Sequence, residues 1–443
     1  MARFMVVLFS ITLLLPFAGY SQEKYLQAGP MVGYSEMREV LLWVQTNAAA
    51  KVKFLYYEAG NPGQKFSTAE TLTGEEGAFT AKIPVENLEP GRLYQYELYI
   101  NNQLVKRPYP LKFQTQKLWQ WREDPPDFSF VAGSCAYVNE AQYDRPGEPY
   151  GGEYEIFSAI YPQQPDFMVW LGDNVYLREA DWYSRSGILA RYTHTRTLPE
   201  LQPLLGSLHH YAIWDDHDYG PNDSDRSFRN KQHTLEAFRL FWGNPTFGID
   251  DIPGITTMFQ WADVDFFLLD DRFHRTPNDR AGGERTVLGK AQIDWLMDAL
   301  SASRAPFKFV VLGGQFLNPF PYGENYSAYP EERSAILTLI SQENISGVIF
   351  LTGDRHHSEL SKLERKPHYP LYDLTISPLT AGPNTKAANE ANHLRISGTY
   401  VNQRNFARLA VSGPRKERVL QISNYDKTGR ELWNFTIKAS DLK

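Results

Sequence analysis

Between residues 23 and 118 apolar and polar positions alternate in short runs, with almost no helical period. Residues 41–46, 51–57, 79–83 and 93–100 read as strands rich in β-branched and aromatic side chains. Turn signals at Gly60-Asn61-Pro62-Gly63, Gly74, Glu89-Pro90-Gly91 and Asn101-Asn102 separate them. This spacing predicts a β-sandwich of roughly immunoglobulin size over 23–118. Residues 117–127, closed by Pro125-Pro126, read as a linker. From Phe128 the pattern changes: apolar strands alternate with helical stretches, which predicts a layered α/β domain over 119–443. Helices are expected at 152–160, 233–242, 289–301 and 331–342. In the third, Ile293, Leu296, Met297 and Leu300 fall at i, i+3, i+4 and i+7 and form one buried stripe. Strand patterns return at 406–411, 419–422 and 432–437, and are expected to complete a sheet of this second domain.

Composition adds a compartment. Residues 1–22 read as a Sec-type signal peptide: Arg3 gives the positive end, 5–17 are almost wholly apolar, and Ala18, Gly19 and Ser21 are small. The mature chain is therefore expected in the periplasm or outside the cell. One arginine excludes a twin-arginine leader, and no cysteine stands near the cleavage point to carry a lipid. No later stretch is long and apolar enough to span a membrane. A net charge of −7 gives no electrostatic footprint for nucleic acid. With Cys135 as the single cysteine there is no internal disulfide, so stability must come from the core and from bound metal.

The chemistry sits where apolar runs end. Residues 128–133 lead to Ser134-Cys135, 166–171 to Gly172-Asp173-Asn174-Val175-Tyr176, and 211–214 to Asp215-Asp216-His217-Asp218. Residues 264–269 lead to Asp270-Asp271-Arg272, and 346–352 to Gly353-Asp354-Arg355-His356-His357. In open α/β sheets ligands bind beyond the carboxyl ends of strands, so these clusters are expected on one rim. Carboxylates crowded together repel unless cations lie between them. Asp173, Asp216 and Asp354 with the His356 imidazole, Cys135 thiolate and Tyr176 phenolate suit a strongly Lewis-acidic, even trivalent metal. Thiolate beside phenolate favours Fe(3+) over magnesium, and the remaining oxygen donors suit Ca(2+).

Gly133-Ser134-Cys135, Gly172-Asp173-x-x-Tyr176, Trp214-Asp215-Asp216-His217-Asp218 and Gly353-Asp354-x-His356, in this order, resemble the motif series of the alkaline phosphatase D (PhoD-like) family. Leu268-Leu269-Asp270-Asp271-Arg272 and Leu288-Gly289-x-x-Gln292-x-x-Trp295-Leu296 extend the likeness over almost the whole mature chain. That family of calcineurin-like metallophosphoesterases carries a β-sandwich ahead of a metallophosphatase domain, and Leu88-x-Pro90-Gly91-x-x-Tyr94-x-Tyr96 resembles fibronectin type III-like modules. The resemblance implies that Cys135 and Tyr176 bind ferric iron, that Asp173 bridges iron and calcium, and that Asp216, Asp354 and His356 are further ligands. It implies that His217 faces the scissile phosphate; Arg272 is read as a phosphate clamp through its guanidinium fork. The chain departs from ordinary metallophosphoesterases in having Cys135 where they open with Asp-x-His, and Gly313-Gly314-Gln315 where they often place another histidine.

The resulting expectation is an exported, monomeric phosphoesterase hydrolysing phosphate mono- or diesters with a metal-bound hydroxide, assisted by His217. The alternative is a non-catalytic binding or scaffold protein on the same fold, against which the complete donor set speaks. A serine hydrolase using Ser134 lacks the Gly-x-Ser-x-Gly elbow. His209, His210, His233, His274 and His357 are read as structural.

Overall fold

The computed structural model describes residues 24–321 and 324–443; the leader expected over 1–22 lies outside them. Among the described residues no helix is long and apolar enough to cross a membrane.

Two sheets face each other across the main core. The larger runs Glu431–Lys438, Val419–Asp426, Asn405–Ser412, Phe128–Gly133, Phe167–Leu171, His209–Ile213, Leu26–Ser35, Val40–Thr46, Thr80–Val85. Its centre, from Phe128–Gly133 to Leu26–Ser35, is parallel. The smaller runs Thr257–Trp261, Val264–Leu268, Lys308–Val311, Val348–Thr352, His368–Thr375, Glu359–Arg365, and its four inner strands are parallel. Strands buried on both faces lose the polar-apolar alternation, which is why the central ones read as continuous apolar runs. Aromatic rings fill the space between the sheets: Phe130 meets Phe266 at 5.2 Å and Phe309 at 5.4 Å, and Tyr211 stacks on Phe259 at 3.6 Å.

The amino-terminal strands do form two layers. One is a small sheet built on Lys51–Glu58 and Leu93–Ile100; the other is the end of the large sheet itself, Leu26–Ser35, Val40–Thr46 and Thr80–Val85. Val32, Leu42, Val44, Phe54, Ile83, Leu98 and Phe113 pack between them. The module is thus continuous with the rest of the molecule through the parallel pairing of Leu26–Ser35 with His209–Ile213. The strand Leu26–Ser35 escaped the sequence reading because Gly29, Pro30 and Gly33 break its pattern. Gly33 is needed there: a Cβ would lie 2.8 Å from the carbonyl oxygen of Gly243, so the two backbones touch.

Helices stand at Glu155–Ile160, Lys231–Phe241, Lys290–Ala302 and Pro330–Gln342, close to the expected spans. A further helix, Arg185–Arg196, gave no apolar period because its buried face includes Arg191 and Arg196 beside Ile188, Leu189 and Tyr192. Ser184 caps it by accepting from the Gly187 N–H at 3.1 Å.

Candidate metal centre

The ligand-bearing loops all leave the carboxyl ends of parallel strands. Cys135 follows Phe128–Gly133, Asp173 follows Phe167–Leu171, Asp216 follows His209–Ile213, and Asp354 and His356 follow Val348–Thr352. Cys135, Asp173, Asp354 and His356 all adopt left-handed backbone, with φ of 59°, 51°, 62° and 54°. Each conformation is disfavoured for a residue with a Cβ, and such residues gather where a side chain must be aimed. Gly172 and Gly313 make room: a Cβ on either would strike Asp215, at 2.6 and 2.4 Å.

The expected donors converge. The Cys135 Sγ lies 3.6 Å from Asp173 Oδ2, and the Tyr176 hydroxyl lies 3.1 Å from Asp173 Oδ2 and 3.2 Å from His356 Nε2. Donor atoms of Cys135, Asp173 and His356 lie within 4.8 Å of one another; so do those of Asp173, Asp216 and His217, and those of Asp215, Asp216 and Asp354. Asp173 belongs to the first two groups and Asp216 to the last two, so the groups form a chain that suits more than one bridged cation.

The donor set fits metal. Asp216 Oδ1 and Asp354 Oδ2 are buried with no hydrogen-bond partner among the described residues, a costly state for carboxylates lacking a cation; Asp215 Oδ2 is likewise unpartnered, although its other oxygen meets Arg272. Burial, then the charges of Asp216, Asp215, Asp218 and Asp354, push the Asp173 carboxyl well above the usual carboxylate range. Burial and the Glu324 charge do the same to Asp354, and burial with Asp173 raises the Cys135 thiol and the Tyr176 phenol. Burial lowers His356 to about 4, which keeps its imidazole neutral. Gly382 O sits 2.6 Å from its Nδ1, which places the proton there and leaves the Nε2 lone pair toward Tyr176 and Asp173.

A supporting frame fixes these loops. Asp218 accepts from the backbone N–H of Asn174, Val175 and Asp215, each at 3.1 Å, tying the Asp173 turn to the Asp216 turn. The His217 N–H donates to Asp173 Oδ1 at 3.2 Å, the Ser377 hydroxyl to Cys135 Sγ at 3.1 Å, and the Asp223 N–H to Asp216 Oδ2 at 2.7 Å. His217 stacks on Tyr176 with ring centroids 4.3 Å apart, and burial lowers its pKa. It opens with Asp173, Asp216, Asp354 and His356 onto a cavity of about 740 Å³.

Arg272 corrects the sequence reading. It is 0% exposed and does not line the cavity; its fork is filled by the carboxylates of Asp215 and Glu324, with the Ser224 carbonyl beside it. A guanidinium so pinned cannot also clamp a phosphate, so Arg272 positions Asp215 and Glu324 instead. The cations on the cavity wall are Arg355 and Lys386. Asp215 stood inside a legible cluster; Glu324, Tyr150 and Ser377 carried no sequence signal. Three of the five histidines set aside are in structural bonds: His209 Nδ1 lies 2.8 Å from Gly33 O, the Trp170 indole donates to His210 at 3.0 Å, and His357 faces Glu359 at 3.5 Å.

Comparison with known proteins points the same way. The model of the PhoD-like phosphatase family matches residues 130–420, and a domain of unknown function, DUF7800, matches residues 23–118. The alkaline phosphatase D of Bacillus subtilis (strain 168) is 23% identical over 335 residues, covering 65% of this chain. The match spans 54% of that relative, about half its length. A solved structure of PhoD superposes with a TM-score of 0.75 at 17% identity, covering 94% of both chains. The purple acid phosphatase PPD1 of yellow lupin (Lupinus luteus) seeds superposes with a TM-score of 0.62 at 12% identity, over 92% of this chain and 74% of its own. At these identities the structural matches establish a shared metallophosphatase fold.

Proposed function

The chain belongs to the PhoD-like phosphatase family, and from that premise we propose that it is an exported phosphoesterase acting on phosphate mono- or diesters through a cluster of iron and calcium. The observation that carries the reading is the chain of overlapping donor groups, with unpartnered carboxylate oxygens, on the floor of an open cavity. Cys135, Tyr176, Asp173 and His356 would hold ferric iron; Asp216 and Asp354, whose donor groups adjoin Asp173, would hold calcium. When bound, these ions supply the Lewis acidity that activates water and neutralises phosphoryl oxygens. The residues do the rest. Lys386 brings positive charge to the cavity wall, where it would face non-bridging oxygens, while Arg355 beside it is held by Glu390 and Asn325. His217, half-buried against Tyr176 and with its pKa lowered by desolvation, would present its imidazole N–H to the leaving oxygen. The amino-terminal module reads as fibronectin type III-like: the Tyr94 hydroxyl accepts from the Glu89 N–H at 3.0 Å and its ring stacks on Phe113 at 5.1 Å.

The test combines colour with turnover. Protein carrying iron should absorb in the visible through phenolate-to-iron charge transfer, and Tyr176→Phe should bleach it while cutting hydrolysis of a mono- and diester panel. Colourless protein, fully active and free of iron by elemental analysis, would sink the iron assignment; protein loaded with metal yet inert on every ester would sink the hydrolase.

A further inference from the structure

Beside the catalytic cavity lies a second one of about 370 Å³, and the two meet at Tyr150, His217 and Asn222. Rings line the second cavity: Tyr137, Tyr143, Tyr150, Tyr176 and Trp182. Its floor is rigid. The Arg178 guanidinium lies 3.9 Å from the centre of the Tyr137 ring and donates to Asp144 at 3.0 Å and to the Val138 carbonyl at 2.9 Å. Both oxygens of Asp144 are spent, one on the Tyr137 hydroxyl at 2.8 Å and Arg178, the other on the Glu140 N–H at 2.7 Å. The Trp182 indole N–H is likewise spent on the Leu177 carbonyl at 3.0 Å. At the rim stand the exposed side chains of Arg145, Glu148 and Glu179; the inner walls offer a ligand ring surface. Tyr143 and Tyr150 are 40% and 46% exposed and line the same cavity wall, so together they form an accessible aromatic patch.

His217 is the only residue proposed to serve the leaving oxygen, and it lines both cavities. A group departing with that oxygen would have the ring-lined cavity beside it. Resting on the proposed hydrolase reading, we propose that this cavity is a leaving-group subsite selecting esters of aromatic-bearing alcohols, nucleosides above all, whose flat base stacks on Tyr143 and its neighbours. Asp144, the inner carboxylate, has no oxygen left to accept from a sugar, and Glu179 at the rim faces Arg145 at 3.8 Å.

The experiment uses the metal-loaded protein and two diesters of methyl phosphate, one with adenosine through its 5′ oxygen and one with 2-methoxyethanol. Release of adenosine should exceed release of methoxyethanol by about tenfold in kcat/KM, the size expected of one base stacked on an aromatic side chain. Tyr143→Ala should raise KM for the adenosine ester roughly tenfold with kcat unchanged, and leave the methoxyethyl ester unaffected. Adenosine alone should bind in calorimetry, more weakly to Tyr143→Ala, and glucose should not. If Tyr143→Ala melts early, Tyr143→Leu keeps the bulk, removes the aromatic face and should give the same loss. Equal kcat/KM for the two esters, variants indistinguishable from the parent, or glucose binding in adenosine's place would overturn the subsite. Adenosine binding that depends on Tyr143, in a protein that hydrolyses neither ester, would uphold the subsite and bring down the hydrolase reading instead.

Discussion

At His217 the backbone N–H holds Asp173 and the ring lies tilted against Tyr176; its imidazole stands within reach of Asp173 and Asp216, and the proposed reading gives it the leaving oxygen rather than a metal. His217→Asn should therefore keep metal content close to the parent's and lower turnover by about 10²–10⁴, the usual worth of a placed proton donor. The loss should shrink for aryl esters, whose leaving oxygen needs little help. Parallel loss of metal and of every substrate would make His217 a ligand. Arg272 makes the opposite case. Removing it in Arg272→Ala strands Asp215 and Glu324 in the interior, and breaking a buried pair from one side costs about 3–5 kcal/mol. Chemical denaturation should show that loss, and Arg272→Lys should recover little, because one ammonium cannot reach two carboxylates as a fork does. An unchanged denaturation midpoint with a raised KM would restore the phosphate-clamp role. These two residues show where a sequence stops being legible. The donors could be named because strand, tight loop and ligand follow one another within a few residues. Arg272 stood in the same kind of string, yet its role is set by Glu324, which lies 52 residues away in sequence.

The same limit acts on whole elements. Helices with a continuous apolar stripe, such as Lys290–Ala302, declare themselves, because burial and period coincide. Arg185–Arg196 buries its arginines instead. Arg191 donates to Asp181 at 2.8 Å and to Glu140 at 2.5 Å with its own side chain 1% exposed, so the charge that hides the helix from a periodicity reading also anchors it. Arg191→Met would keep the volume and helix propensity but leave Asp181 buried without its cation; Glu140, partly exposed, can turn to water. A loss of about 3 kcal/mol in urea unfolding is expected, with partial recovery in Arg191→Met combined with Asp181→Asn. A neutral single variant would mean that solvent already reaches Asp181 and that the helix is held by Ile188, Leu189 and Tyr192 alone.

At the scale of the whole molecule, the amino-terminal module and the body that carries the candidate metal centre are one sheet system. The sequence divides into two parts and a linker because its pattern changes at Phe128, while hydrogen bonding between distant strands leaves no trace in composition. The junction is polar as well as apolar: the Ser35 N–H donates to the Tyr211 hydroxyl at 3.0 Å, the Trp43 indole to Leu240 O at 2.8 Å, and the Tyr96 hydroxyl to Gly206 O at 2.9 Å. At its centre His209 meets Gly33 O with Nδ1 and accepts the Gln114 N–H on Nε2 at 3.1 Å, which requires the neutral imidazole. Burial lowers its pKa from 6.5 to about 4. In the unfolded chain the same imidazole takes a proton near pH 6.5. Its contribution is therefore complete above that value and is lost as pH falls from 6.5 toward 4, by roughly 2 kcal/mol at pH 5. His210, lowered by burial to about 3, acts in the same direction, and the ligand carboxylates also titrate, so the parent's acid limb alone is not diagnostic. The difference between parent and His209→Gln is. The glutamine variant, which cannot titrate, should be less stable at pH 8 and should lose less between pH 6.5 and 4.5 in urea unfolding, so that the two curves converge toward acid. If they stay parallel, His209 is not held neutral at the junction, and the module is docked by its apolar and backbone contacts alone.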